Sequence, residues 1–238
     1  MVGKWHLGVN CERNSDFCHH PLNHGFQYYY GMPLTNLRDC GEDGASVLEH
    51  IYTLWKRFIL FSVGTLVAST VMLFIFGKIS KSTFVILLIF SLLPLFALLA
   101  QLYVIKSWNC VLMKNYDVVE QPIQLQNLTV RFTAEAISFI EKNKNKPFLL
   151  FVSFAKVHTA LFTTEAFEGH SGHSRFGDNV EEMDWSVGKI ISALERLGLK
   201  DDTFVYFTSD NGPHLEEVIA TGEYHGGWKG LFRGGRLQ

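Results

Sequence analysis

Two stretches of this chain contain no charged side chain, Phe58 to Phe76 and Thr83 to Ile105. A surface helix of a soluble protein keeps charge on its outward face, so runs like these argue against a pair of ordinary amphipathic helices. An excess of one sign of charge is lacking too. The formal net charge is −2, from 21 Lys and Arg against 23 Asp and Glu, and that balance gives no support for nucleic-acid binding. The opening Met1-Val2-Gly3-Lys4-Trp5-His6 lacks a basic segment followed by an apolar core, so it does not read as a secretory leader. Cysteine is scarce as well, with 4 in 238 residues, which leaves position rather than number to carry the argument.

What is present is an apolar block from Phe58 to Ile105, broken only by Gly77-Lys78-Ile79-Ser80-Lys81-Ser82. Each half runs roughly 19 to 23 residues, or ~28 to 35 Å at ~1.5 Å per residue, enough to cross a bilayer core. Inside hydrocarbon every backbone N–H and C=O needs an internal partner, so two helices joined by the short link are the expected form. Pro94 is expected to kink the second helix, and Gly64, Ala68 and Ser69 in the first allow close helix packing. The reading is a transmembrane hairpin over 54–107, with the lipid bilayer as a partner. Delivery to a membrane then falls to the hairpin itself or to sequence preceding Met1.

The cysteines fit an oxidising lumen. Cys11 and Cys18 can close a small loop, and a Cys40–Cys110 bridge would staple the base of the hairpin, whose ends return to one membrane face. Asn127-Leu128-Thr129 is an N-glycosylation sequon with Asn127 as the acceptor. Lysine and arginine mark both base and tip. The expectation is a multi-pass protein of the endoplasmic reticulum or another secretory-pathway membrane, with the base lumenal and the tip cytosolic.

Residues 1–50 read as loops with short strands, rich in Gly, His, Asn, Asp and aromatics. Within them, Gly3-Lys4-Trp5-His6-Leu7-Gly8 sets Lys4 and His6 two apart, on one side of an extended segment. A cation and an imidazole there can hold an anion and pass a proton, although spacing alone favours a solvated surface loop. After the hairpin, helical spacing predicts a helix over 127–142, with Val130, Ala134, Ile137 and Ile140 as its stripe. A second is predicted over 177–197 through Val180, Met183, Val187, Ile190 or Ile191, Leu194 and Leu197, with Gly198 as C-cap. The apolar runs 148–154 and 203–208 read as buried strands. This alternation predicts an α/β fold with a parallel sheet, whose sites gather at the carboxyl ends of strands. His158 and Asp210-Asn211 both fall there. Asp210 and Asn211 offer a carboxylate and an amide oxygen, ligands for a hard cation, in a tripeptide that also suits a turn.

GKWHLG, VHTALF, VEEMDWSVGKI, YFTSDNGPHLEE and YHGGWKGLFRGG stand here in an order that resembles the sulfatase family. With a hairpin between the first two, the resemblance is to its steroid-sulfatase and arylsulfatase (D, E, F and H type) branch, over essentially the whole chain. It implies an alkaline-phosphatase-like α/β sheet, with 1–53 and 108–238 as parts of the catalytic domain and the hairpin inserted. It further implies hydrolysis of sulfate esters of an aryl or hydrophobic alcohol, by a formylglycine nucleophile assisted by Ca²⁺. By that likeness Lys4 and His158 bind the sulfate, His6 lies near the nucleophile, His158 serves the leaving alcohol as acid, and Asp210 and Asn211 are Ca²⁺ ligands. The cysteine pairing agrees with that branch.

The sequence departs from the family pattern in three places. The formylglycine motif, Cys or Ser-x-Pro-Ser-Arg, is expected upstream of GKWHLG, and this sequence contains none. The aspartate pair completing the Ca²⁺ site belongs upstream too. The lysine expected in the Gly-rich stretch is here Arg236, a planar fork where the family has a point charge. The expectation is that this chain alone turns over no sulfate ester. Two rival readings are a phosphate-ester hydrolase of the alkaline phosphatase superfamily and a catalytically inactive membrane-anchored fragment. Nothing in the sequence speaks to oligomeric state, and His214 and Glu216 receive no role.

Overall fold

A computed structural model describes residues 1–35, 40, 49–159, 161–215, 226–228 and 230–231. The chain divides into two compact units, Met1–Ser46 with Ser107–Gln238, and Val47–Lys106.

The first unit is built on a five-stranded sheet. Its strands are β1 (Val2–Lys4), β2 (Tyr30–Met32), β3 (Leu112–Lys114), β4 (Asp117–Glu120) and β5 (Val152–Ser153), in the order β4-β3-β2-β1-β5. The strands β2, β1 and β5 run parallel, while β3 and β4 add antiparallel. The sheet is therefore mixed rather than wholly parallel. Strand alternation sends Val2, Met32 and Leu112 into one core with Leu128 and Phe132, while Met113 joins Met1 and Tyr29 in another. Two glycines let the central strands approach. A Cβ on Gly3 (φ +109°) would lie 1.9 Å from the Ser153 carbonyl oxygen, and one on Gly31 would lie 1.8 Å from that of Gly3.

Two amphipathic helices accompany the sheet, α3 (Leu128–Asn143) and α4 (Ser174–Arg196), near the expected ranges. Gly198, at φ +70°, closes α4 as expected, with Leu199 N–H donating to Leu194 O (2.9 Å) in a Schellman pattern. Their buried faces differ from the expected stripes. On α3 the core side is Phe132, Thr133, Ala136 and Ile140, and Ala134 is exposed. On α4 it is Asp178, Asn179, Glu182 and Ser186, followed by Ala193 and Leu194. Hydrophobic periodicity cannot find a face that is polar and paired.

The two apolar runs also differ from expectation. Only Val152–Ser153 of 148–154 joins the sheet, and Leu149 is 78% exposed. Residues 203–208 make no strand, and Phe204 is 91% exposed. A strand buried on both faces needs neighbours, and β5 pairs with β1 alone among the described residues.

The second unit carries most of α1 (Glu49–Ile75) and α2 (Lys81–Asn109), with Pro94 inside α2. Trp55–Ile75 and Lys81–Ala100 are long and apolar enough to cross a membrane, and their large apolar side chains are mostly exposed. Cys110 follows α2 directly and is bonded to Cys40 (Cα–Cα 5.4 Å), and Cys11 is bonded to Cys18 (5.8 Å), the two expected pairs.

Candidate functional site

The Gly3–Gly8 segment begins in β1 and leaves its carboxyl end. Extended geometry stops there: His6 adopts φ +58°, so the two-residue alternation expected to align it with Lys4 does not reach it. Trp5 N–H donates to Met32 O (2.9 Å) and His6 N–H to Pro33 O (3.2 Å), anchoring the turn beside the end of β2. The His6 side chain is exposed.

Lys4 reaches across the sequence. Its Nζ lies 2.9 Å from Asp210 Oδ2, joining residues 206 apart. The lysine side chain is 17% exposed and the aspartate 66%. The hydrogen bond from Lys4 holds the Asp210 carboxyl below its ordinary range. Next to it, Asn211 Nδ2 donates to Gly212 O (2.7 Å) and Ser209 Oγ donates to Asn211 O (2.7 Å).

His158 lies in the loop after β5, and β5 runs parallel to β1 with Val2 opposite Val152 and Gly3 opposite Ser153. Both strands therefore deliver their following residues to one end of the sheet. A turn bond from His158 N–H to Ala155 O (3.2 Å) shapes the loop. His158 Nδ1 is bonded to Thr159 O. A carbonyl can only accept, so in this contact Nδ1 is the donor. Lys4 and Asp210 are thus in contact, with His6 and His158 on loops leaving β1 and β5. Arg236 and Glu216 lie outside the described residues.

Sequence reasoning missed a buried group beneath the His158 loop. Lys156 Nζ sits 3.0 Å from Glu182 Oε2, with side chains 1% and 0% exposed. It also lies 3.9 Å from the centroid of the Phe162 ring. Burial lowers the Lys156 ammonium to about 8 against the opposing pull of Glu182. Thr164 completes the group, donating to Glu182 from its backbone N–H (3.1 Å) and its hydroxyl (2.7 Å). The signal available in the sequence was the polar series Asp178, Glu182 and Ser186 at helical spacing.

Metal-type donors meet elsewhere too, at Cys11, Cys18 and His19. The two sulfurs are bonded to each other there, so no thiolate is offered. All 4 cysteines of the chain are disulfide-bonded, leaving no thiol for conversion to another group.

The sulfatase family model matches residues 1–235. Human steryl-sulfatase is 46% identical over 241 residues, covering 99% of this chain and 41% of that protein. Human arylsulfatase D is 42% identical, covering 99% and 40%, and human arylsulfatase H is 41% identical, covering 99% and 42%. The chain thus spans about two-fifths of the length of these relatives. A solved Bacteroides thetaiotaomicron structure, from a locus for metabolism of multiple glycosaminoglycans, shares the fold with a TM-score of 0.54 at 20% identity, covering 91% of this chain and 43% of that one. The chain belongs to the sulfatase family.

Proposed function

We propose that this chain carries the sulfate-contacting side and part of the cation site of a membrane-anchored sulfuric ester hydrolase. The observation that carries this reading is the contact of Lys4 with Asp210, which joins GKWHLG to SDNG at the end of the sheet. The names of the steryl-sulfatase and arylsulfatase relatives motivate the substrate class, a sulfate ester of an aryl or hydrophobic alcohol.

The fit of a Ca²⁺ ion rests on chemistry already present. Asp210 holds a cationic group, the Lys4 ammonium, and Asn211, the next residue, carries a neutral amide oxygen. These are hard ligands, a fraction of the roughly six to eight oxygens Ca²⁺ takes. The ion would supply neutralisation of sulfate charge. Lys4 contributes a fixed ammonium for a sulfate oxygen, and His6 an imidazole at the turn that follows. His158, with Nδ1–H committed to Thr159 O, has Nε2 as the position from which a proton passes to the departing alkoxide. Arg236 would add a planar cation to the anion. A formylglycine nucleophile belongs to the complete protein in this reading. The sequence contains no Cys or Ser-x-Pro-Ser-Arg motif for one, so this chain alone is expected to turn over no aryl sulfate.

The hairpin is proposed to span the bilayer twice, with its disulfide-bonded base in an oxidising secretory lumen. Asn127 is exposed and its side chain caps nothing, as a glycan acceptor there requires.

Calorimetric titration of Ca²⁺ into the detergent-solubilised chain tests the site. Saturable binding that disappears in Asp210→Ala is expected, with no hydrolysis of an aryl sulfate. Binding that survives the substitution would sink the assignment of Asp210.

A further inference from the structure

We infer that Glu182 is the positioning residue for His158, because its buried carboxylate clasps the His158 loop at both ends, by Lys156 before it and by Thr164 after it. The inference rests on the proposed role of His158.

Glu182 projects from the buried face of α4, an element whose middle is fixed to α3 through the Ser186–Thr133 hydroxyl pair. One oxygen, Oε2, takes the Lys156 ammonium at 3.0 Å and the Thr164 N–H at 3.1 Å. The other, Oε1, takes the Thr164 hydroxyl at 2.7 Å. That hydroxyl is also 3.1 Å from Gln126 O, just ahead of α3. A single carboxylate therefore determines where the chain enters and leaves the segment carrying His158. Leu161 is buried within it, as Ala155 is just before it, while His158 and Thr159 stand partly exposed. Phe162 lies over the Lys156 ammonium, closing the clasp with an aromatic face.

The cost of this arrangement argues for a positional role. An ion pair taken wholly out of water gains little net stability over apolar residues of similar volume. Packing α4 alone would not call for it. Holding a loop in one geometry does, since the carboxylate holds three atoms at once, Lys156 Nζ and the backbone nitrogen and hydroxyl of Thr164. A loop bearing a proton-transferring imidazole needs that definition, because small displacements of such a group lower rate steeply.

Two variants test the inference on the detergent-solubilised chain, Glu182→Gln and Thr164→Val, the second leaving the ion pair intact. Amide hydrogen exchange of the segment between Lys156 and Thr164 is expected to rise about tenfold or more in Glu182→Gln, beyond any rise in α3, and by less in Thr164→Val. The His158 imidazole resonance is then followed during titration with inorganic sulfate. The unaltered chain is expected to show a saturable shift, and Glu182→Gln a weakened one. Exchange that is unchanged in both variants, or raised equally in α3, overturns the inference. Loss of loop protection with an undiminished sulfate shift overturns it too, since His158 would then be placed without the clasp. A chain whose His158 never responds to sulfate, while the loop loses protection as expected, overturns the reading of His158 and leaves Glu182 an anchor of the loop only.

Discussion

The chain holds two helix pairs built on opposite rules. In α1 and α2 the outward surface is apolar, with Phe58, Phe61, Phe90 and Phe96 among the exposed side chains. In α4 the inward surface is polar, with Asp178, Asn179, Glu182 and Ser186 buried. The contrast shows what decides a helix's pattern: which partner each side chain is given. Backbone groups of a hairpin helix are satisfied within the helix, so apolar side chains suffice when the surroundings are hydrocarbon. A buried polar side chain needs a named partner. Asp178 has the N–H groups of Gly169 and Ser171, Glu182 has Lys156 and Thr164, and Ser186 has Thr133.

The largest expected effect breaks the polar side of that contrast. Glu182→Ala leaves the Lys156 ammonium buried without its carboxylate, and removal of one partner of a buried pair costs about 3–5 kcal/mol. Urea unfolding followed by tryptophan fluorescence should show the unfolding free energy fall by that amount. A loss below about 1 kcal/mol would mean that water reaches Lys156 and that the pair is not buried as described.

A somewhat smaller effect is expected on the apolar side. Leu92→Arg places a charge near the middle of α2, where insertion scales assign about 2.5–3.5 kcal/mol. Membrane integration of α2, read by glycosylation of engineered flanking sequons, should drop sharply. The same change on α4, Val180→Arg at an exposed position, should alter unfolding by less than about 0.5 kcal/mol. Equal tolerance at both positions would count against a membrane-spanning α2.

This division also explains what could be read from sequence. The two apolar helices were legible because charge is missing from every face of both runs, a signal that needs no knowledge of neighbours. The existence of α3 and α4 was legible from periodicity, and Gly198 from its position after the last turn. Their buried faces were not, since Thr133, Glu182 and Ser186 score as surface residues until their partners are known. The runs at 148–154 and 203–208 were over-read for a related reason: continuous apolar sequence says that a strand can be covered, and only the sheet says whether it is. Among site residues, Lys4, His158 and Asp210 stood out through motifs and strand ends, and Lys4 and Asp210 meet directly. Lys156 and Thr164 carry no motif, and their role depends on a helix 18 or more residues further along.

The smallest effect is expected where a charge pair meets water, and it sharpens the contrast with Glu182. Lys4 and Asp210 are as close as Lys156 and Glu182, at 2.9 Å against 3.0 Å, yet the aspartate is mostly exposed. Solvent screening limits such a pair to about 0–1 kcal/mol. Lys4→Met should therefore change the unfolding free energy at pH 7 by no more than that. The direction with pH follows from the Asp210 carboxyl, which the Lys4 hydrogen bond holds below its ordinary value. The folded state binds its proton less readily than the unfolded chain, so the pairing contributes above the ordinary carboxylate range and fades as pH falls through the lowered value. The unaltered chain and Lys4→Met should thus converge in acid and differ slightly at neutrality, read as paired urea midpoints across that range. A difference at pH 7 as large as that of Glu182→Ala would show that proximity of charges, rather than their burial, governs stability here.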